Sequence, residues 1–578
     1  MAQSEFLNTS QKTVYVGTAK CAECHEDERH SHLKTQHSRA LRDVASFPQP
    51  PDGEVEPRLS GRTYRIYRQG GQMRHREAVR MADGERELAD FAPRYVIGSG
   101  THSLTYLIAD GEFLVESPVT WFTPAKKWDM SPGYEKSPDQ PGFSRPINTT
   151  CVNCHSGGAI PIDHGLYRFA IRELAIGCER CHGPGSSHVA KWEGSEEISS
   201  GADLTIVNPD NLDRDRVNAI CSQCHLEGAM RVGVRGRDSA DFRPGMRFED
   251  FEMAYVLTSA NNTMKVVGHV EQMRQSRCYS QSNSLTCVTC HDPHDVPDAA
   301  ERVAYFRNKC LQCHAVESCG MPRDERLAAD SQDDCSRCHM PKSPVEVVHV
   351  SFTHHRIGIH DTTPPPDQTF QDLVPLLDDS HLSLIDRDRC RGLAYLELSS
   401  LETDDLRARY YGRRAQELLQ DVAAQGLHDP DVDAALARIA FAERRFDKAL
   451  QLARSALDMD NVSPSVRVDA LDTLSSSYFE QGDLSAAAPV LDSLLAARRS
   501  AEDWRRRALC YFTAGDRAAA LKAAREAVRI APHRADLQQE LASLLEELGD
   551  HAAALPHFER ARAIQASVVP SATRHFPH

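Results

Sequence analysis

Residues 287–294 read CVTCHDPH, and the first five of them recur in kind six more times, as CAECH (21–25), CVNCH (151–155), CERCH (178–182), CSQCH (221–225), CLQCH (310–314) and CSRCH (335–339). Every Cys-x-x-Cys pair is followed at once by His. With 27 His among 578 residues, seven such followers by chance have a probability on the order of 10⁻⁹. The histidine is therefore part of the motif. Two thiols one helical turn apart reach the two vinyl groups of one porphyrin, and the adjacent imidazole is held under the ring, where it can ligate iron. Zinc ribbons pair two knuckles per metal and need no His after each, and seven knuckles do not divide into pairs. Disulfides across two residues belong to redox enzymes and seldom recur seven times. The motifs read as attachment sites for seven haem c groups. Cys21, Cys24, Cys151, Cys154, Cys178, Cys181, Cys221, Cys224, Cys287, Cys290, Cys310, Cys313, Cys335 and Cys338 carry the thioethers. His25, His155, His182, His225, His291, His314 and His339 are the proximal iron ligands.

Whether the protein carries electrons or transforms a substrate turns on the far side of each iron. A second imidazole closes the metal and suits electron transfer, whereas an open face can bind a small molecule. His37 lies in the helical stretch HLKTQHSRAL, 12 residues after the first motif. His188 in CHGPGSSH and His294 in CHDPH follow a Gly- or Pro-driven reversal, which aims them at a neighbouring haem. His269 lies upstream of LTCVTCH, and His349 and His355 occur in VVHVSFTHHRIGIH.

The runs CERCHGPGSSHV, LTCVTCHDPH and CHMPKSPVEVVHVSFTHHRI resemble the multihaem cytochromes c related to hydroxylamine oxidoreductase and pentahaem nitrite reductase, over roughly residues 14–360. The resemblance implies haems stacked in close pairs, with distal histidines supplied from elsewhere in the chain. Relatives show Thr-Asp-His-Ile or Thr-Asp-His-Arg where this chain has Thr353, His354, His355 and Arg356, which gives the ligand role to His355. The full distal set is then His37, His102, His188, His269, His294, His349 and His355, seven for seven irons, with His164 as substitute. His30, His32, His75 and His360 read as solvated surface imidazoles. All seven motifs end in His, so neither the lysine-ligated nor the tyrosine-linked catalytic haem of that family can be placed, and no catalytic residue is assigned. Cys278 and Cys319 are left over, as one disulfide or two free thiols.

Sixteen of the 18 Cys lie between Cys21 and Cys338, so the chain is a composite. Between the first two motifs, RTYRIYRQGGQMRHREA and LTYLIADGEFLVESPVTWF alternate apolar and polar about Gly70-Gly71 and Asp110-Gly111, and each reads as a β-hairpin. WFTPAKKWDMSPGYE reads as a long ordered loop. IGSG (97–100) lacks the strand and helix context of a dinucleotide loop. After the Pro-rich DTTPPPDQTFQDLVP the pattern turns helical, with Gly482, Gly515 and Gly549 spaced by 33 and 34 residues. Around them recur Trp504, Ala508, Tyr511, Ala520, Ala527 and Pro532, then Leu541, Ala542, Ala554, Phe558 and Ala561, the small and large positions of a tetratricopeptide repeat. Weaker copies surround Ala437, Ala449 and Ala456, and Leu474, Tyr478 and Ala487. Residues 383–427 read as an atypical helical pair.

The expected fold is mainly α: a haem-packed multihaem domain (14–362) with a small antiparallel β insert (about 58–145), a linker (363–382), and an α-solenoid of tetratricopeptide repeats (383–568). The length suits three or four domains. With 67 basic against 83 acidic side chains and a formal charge of −16, a nucleic-acid partner is not expected. No run of 18 apolar residues suggests a membrane span, and the opening lacks the apolar core of a secretory signal. Haem c is attached outside the cytoplasm in the resembled proteins, so the expectation is a periplasmic or cell-surface protein whose leader has been removed. The expected function is electron transfer through seven bis-His haems, the solenoid docking a redox partner or another copy. The alternative is a multihaem oxidoreductase with one open haem acting on a small nitrogen or sulfur compound. A third reading is an assembly subunit in which His575 or His578 serves the next copy.

Overall fold

The computed structural model describes residues 4–57, 60–81, 83–134, 140–163, 165–194, 201–258, 265–360 and 370–567. His164, His575 and His578, and residues 361–369, which include the start of the expected linker, lie outside the described residues. The chain divides into two compact units, residues 39–175 with 429–578, and residues 1–38 with 176–428.

The first of these is built on two antiparallel sheets. One runs Leu41–Asp43, Tyr95–Ile97, Ser103–Asp110, Phe113–Phe122, Lys127–Met130 in spatial order, and the other Gly53–Val55, Arg62–Gln69, Gln72–Met81, Gly84–Phe91. Both expected hairpins form. Gln69 pairs with Gln72 across Gly70 and Gly71, which both sit at positive φ, the backbone that a two-residue turn between twisted strands requires. Asp110 pairs with Phe113, so the second turn is Gly111-Glu112. Alternate residues of both sheets, including Tyr64, Ile66, Met73, Tyr106, Val119 and Trp128, share one apolar core. Burial on one face explains the period-two pattern. The expected loop at 121–135 is in part strand: Trp121 and Phe122 end one strand and Lys127–Met130 form the next, with Trp128 paired across from Trp121 and the two rings meeting edge to face at 5.6 Å.

Eight helices of the same unit stack in four pairs: Pro430–Ala442 with Phe446–Asp458, Pro464–Glu480 with Leu484–Ala497, Ala501–Thr513 with Arg517–Ile530, and Ala535–Glu547 with His551–Ser567. Ala449, Ala453, Ala487, Ala520, Ala542 and Ala554 are fully buried, which lets neighbouring helices approach closely. Gly482, Gly515 and Gly549 occupy the left-handed turn inside three pairs, and in the first pair that place is held by Arg444 at φ 60°. The array grips the sheet of its own unit. Asp110 at the hairpin tip is clamped by Arg499 Nε (2.5 Å) and Arg529 Nη1 (2.9 Å), and Arg499, 2% exposed, also donates to the Phe143 carbonyl. Arg62 and Glu77 form a second, fully buried ion pair.

In the other unit a three-stranded sheet joins Met230–Gly233, Glu252–Leu257 and Leu373–Pro375, so part of the expected linker is a strand. The helices Leu384–Leu401 and Asp405–Ala424, read as the start of the solenoid, pack as a pair within this unit. They cross at Gly392, where an added Cβ would meet Leu419 Cγ at 2.9 Å and Leu418 Cβ at 3.2 Å. Gly392→Val is expected to overpack this crossing and cost about 1–3 kcal/mol, read as a lower urea midpoint at unchanged slope.

The mainly α expectation holds only in its C-terminal part. The described residues are 48% helical with several sheets, and strands begin at Leu41, well before the insert was expected. Segments of short strands bounded by turns escape a reading dominated by cysteine spacing. From 280 to 349, 70 residues carry three Cys-x-x-Cys-His motifs and not one buried side chain. The polypeptide alone supplies no interior there to offset the entropy of ordering it.

Candidate functional site

The motifs lie on short helical turns. His25, His182, His291 and His314 each donate their backbone N–H to the carbonyl of the first Cys of the motif, four residues earlier, at 3.0 Å. The fourth motif ends the helix Arg214–His225, and the seventh is the helix Cys335–His339. One α-turn puts both thiols and the imidazole at one end of a short cylinder. The turns are fixed locally by caps: Asn148 accepts from Cys151 N, Asp213 from Arg216 N, Asp334 from Ser336 N, and Thr286 with Thr289 forms a capping box.

Four proximal imidazoles face a second imidazole. Ring centroids lie 6.3 Å apart for His25 and His188 (24° between planes), 5.9 Å for His182 and His294 (5°), 6.1 Å for His291 and His355 (25°), and 6.1 Å for His225 and His37 (62°). An iron between two imidazoles, with bonds of about 2 Å and roughly 1 Å from each nitrogen to its ring centre, sets the centroids about 6 Å apart. His269 is placed differently, 5.0 Å from His225 and 4.6 Å from His355 with rings nearly perpendicular. That is too close for a metal in between.

The protonation pattern suits ligation. Nδ1–H of His182 donates to the Val207 carbonyl (2.8 Å), that of His355 to Thr353 O (2.8 Å), and that of His339 to Gly358 O (3.2 Å). His188 Nδ1–H donates to Asp203 Oδ2 at 3.0 Å. A proton fixed on Nδ1 leaves the Nε2 lone pair for a metal. Burial lowers the pKa of His355 to about 4, against the Thr353 hydrogen bond, and lowers His182 as well. Both stay neutral, the ligating form. Asp203 stays ionised against the cost of burial because Thr205, Trp192 and Lys191 donate to it.

His102 and His155, with Cys151 and Cys154, belong to the β-rich unit, and the other six motifs belong to the other one. His349 sits at φ 61°, next to the buried Val350. His354, in the position that is Asp in relatives, is buried and its ring meets His360 at 4.6 Å. His30 is exposed as expected, and His360 is half-buried. His32 and His75 are not surface residues: they are 7% and 1% exposed, His75 against Tyr106, Trp128 and the Ser117 hydroxyl. A lone His inside an alternating strand carries no mark of the sheet face it will take. Cys278 and Cys319 form no disulfide. Asp203 and Asn218, whose carboxamide oxygen accepts from Cys287 N at 3.2 Å, were not legible beforehand, because neither lies at a fixed spacing from a motif.

Haem c fits this donor set: paired thiols on single turns, facing imidazoles at ligand spacing with Nδ1 anchored, and a segment without an interior of its own. Among the described residues no cluster of three or more His, Cys, Asp or Glu is arranged for a bare cation. No described helix is long and apolar enough to cross a membrane.

No curated protein matches the chain. Among solved structures it is similar to MamA of MSR-1 (18% identity, 32% of this chain, 98% of that one, TM-score 0.27), to MamA of AMB-1 (20%, 33%, 100%, 0.27), and to one described as "MamA 41-end from Desulfovibrio magneticus RS-1" (19%, 30%, 96%, 0.26). The tetratricopeptide repeat family matches residues 412–464 and 473–535, over the helices described above. The C-terminal part of the chain is a tetratricopeptide repeat array, an architecture that docks proteins.

Proposed function

We propose that the chain is a seven-haem c-type electron carrier whose repeat array docks a redox partner protein or another copy of itself. The observation that carries the reading is that four proximal imidazoles lie opposite a second imidazole at the spacing of an iron, on four of seven motifs of one Cys-x-x-Cys-His spacing. When bound, haem c supplies a one-electron Fe(II)/Fe(III) couple. The chain's own residues do the rest. The thiol pairs would fix each ring covalently, the backbone carbonyls and Asp203 hold the imidazoles in one tautomer, and at the four paired sites a second imidazole would leave no position for a substrate. The reading carries a periplasmic or cell-surface location, where haem c is attached.

The test is the full chain produced with a c-type haem maturation system. Expected are seven covalent haems per chain, retained through acid–acetone extraction, and low-spin ferric signals throughout. A mass equal to the bare polypeptide overturns the haem reading. A high-spin ferric haem that binds nitrite, hydroxylamine or sulfite replaces the carrier by the oxidoreductase with one open haem.

A further inference from the structure

A seven-haem carrier is further defined by which histidine closes which iron and by the order of the irons in space. The chain ties these together through short tethers. His188, opposite His25 of the first motif, lies six residues after His182 of the third. His294, opposite His182, lies three residues after His291 of the fifth. His37, opposite His225 of the fourth motif, lies 12 residues after His25 of the first. The fourth and fifth motifs abut directly: Asn218, on the helix that ends in His225, accepts from both the backbone N and the thiol of Cys287, at 3.2 and 3.4 Å. A fully extended tether of three residues spans only about 10 Å and one of six about 20 Å, so the first and third motifs, and the third and fifth, are neighbours in space; the 12-residue tether from His25 to His37 is shortened by the helix Glu26–His32, which rises only about 10 Å.

Resting on the haem reading, we infer that the first, third, fifth and fourth motifs form one interlocked four-iron ring, in which His188 closes the iron of CAECH, His294 that of CERCH, His355 that of CVTCH and His37 that of CSQCH. The spatial order is thus 1–3–5–4 and back to 1, unlike the order along the chain. His269 touches both His225 and His355 without facing either at ligand distance. It lies between ligands of the fourth and fifth irons and ligates none of these four. Asp203 acts as a positioning residue: it fixes the His188 tautomer and, as a carboxylate behind a ligating imidazole, makes that imidazole more electron-donating.

The test uses the haem-loaded full chain with His188→Gly, His294→Gly, His355→Gly and His37→Gly made singly. Each is expected to keep seven haems, lose one low-spin ferric EPR signal and gain one high-spin signal, with added imidazole restoring the low-spin state. The pairing itself is read by combination: in a Cys21→Ala/Cys24→Ala chain, which holds six haems, His188→Gly is expected to produce no high-spin signal. Seven haems with an unchanged spectrum in a single variant overturns that ligand assignment, and a high-spin signal in the combined variant overturns the pairing of His188 with CAECH. If a glycine variant does not fold, His188→Met keeps a sixth ligand. It is expected to raise one midpoint potential and add a thioether-to-iron charge-transfer band, and unchanged potentials overturn the assignment. Asp203→Asn is expected to raise the potential of that same haem alone while its signal stays low-spin; unchanged potentials refute the positioning role. Failure of the haem reading looks different, since the wild-type chain would then carry no haem at all.

Discussion

Asp110→Ala is expected to destabilise the β-rich unit by roughly 3–5 kcal/mol, the range for stripping one partner from a buried ion pair. The size follows from Arg499, not from Asp110 itself. The Arg499 guanidinium is 2% exposed, and its charge is met by the Asp110 carboxylate and the Phe143 carbonyl. Burial already lowers the Arg499 pKa, with Asp110 opposing that shift. Removing the carboxylate leaves a cation that can neither reach water nor readily lose its proton. Replacing both partners, as Asp110→Leu with Arg499→Met, is expected to recover most of the loss, since apolar packing of similar volume often matches a buried pair. Urea unfolding of both variants decides this. Equal loss in single and double variants would mean that the cost comes from packing at the hairpin tip.

Glu116 gives the second large effect, visible as pH dependence. Burial raises its carboxyl from the ordinary 4.5 to about 7, with Arg145 pulling the other way from 3.1 Å. A carboxyl whose folded pKa is raised binds its proton more tightly folded than unfolded. Its contribution is therefore whole below pH 4.5 and is lost as pH rises through 7. The shift corresponds to about 3 kcal/mol. Glu116→Gln, which stays neutral, is expected to lie above wild type in stability at pH 8 and to flatten the loss between pH 5 and 8. A wild-type urea midpoint that is flat across that range would refute it.

The Cys-x-x-Cys-His motifs are visible in the sequence because each occupies five consecutive residues, and local patterns survive in a linear text. The two hairpins were legible for the same reason: Gly70-Gly71 and Gly111 mark their turns, and the burial alternates. The repeats announced themselves through Gly482, Gly515 and Gly549, while the first pair was faint because Arg444 holds the left-handed position. Pairings at long range were not legible. Nothing near His188 names His25, and nothing near Asp110 names Arg499, 389 residues away. The strand Lys127–Met130 was missed because its partner, not its composition, makes it a strand. His32 and His75 were misjudged because burial of a single imidazole depends on which face its neighbours leave open.

The β-rich unit is assembled from two stretches of chain separated by 253 residues, 176–428. At about 5–20 residues per second of synthesis, its opening sheets wait on the order of tens of seconds for the helices that clamp their hairpin. Six of the seven attachment motifs lie outside it, and five of those fall within the waiting interval. A chain emerging from one end thus presents all fourteen motif thiols before the two stretches of this unit meet, so chemistry at those thiols can precede its closure.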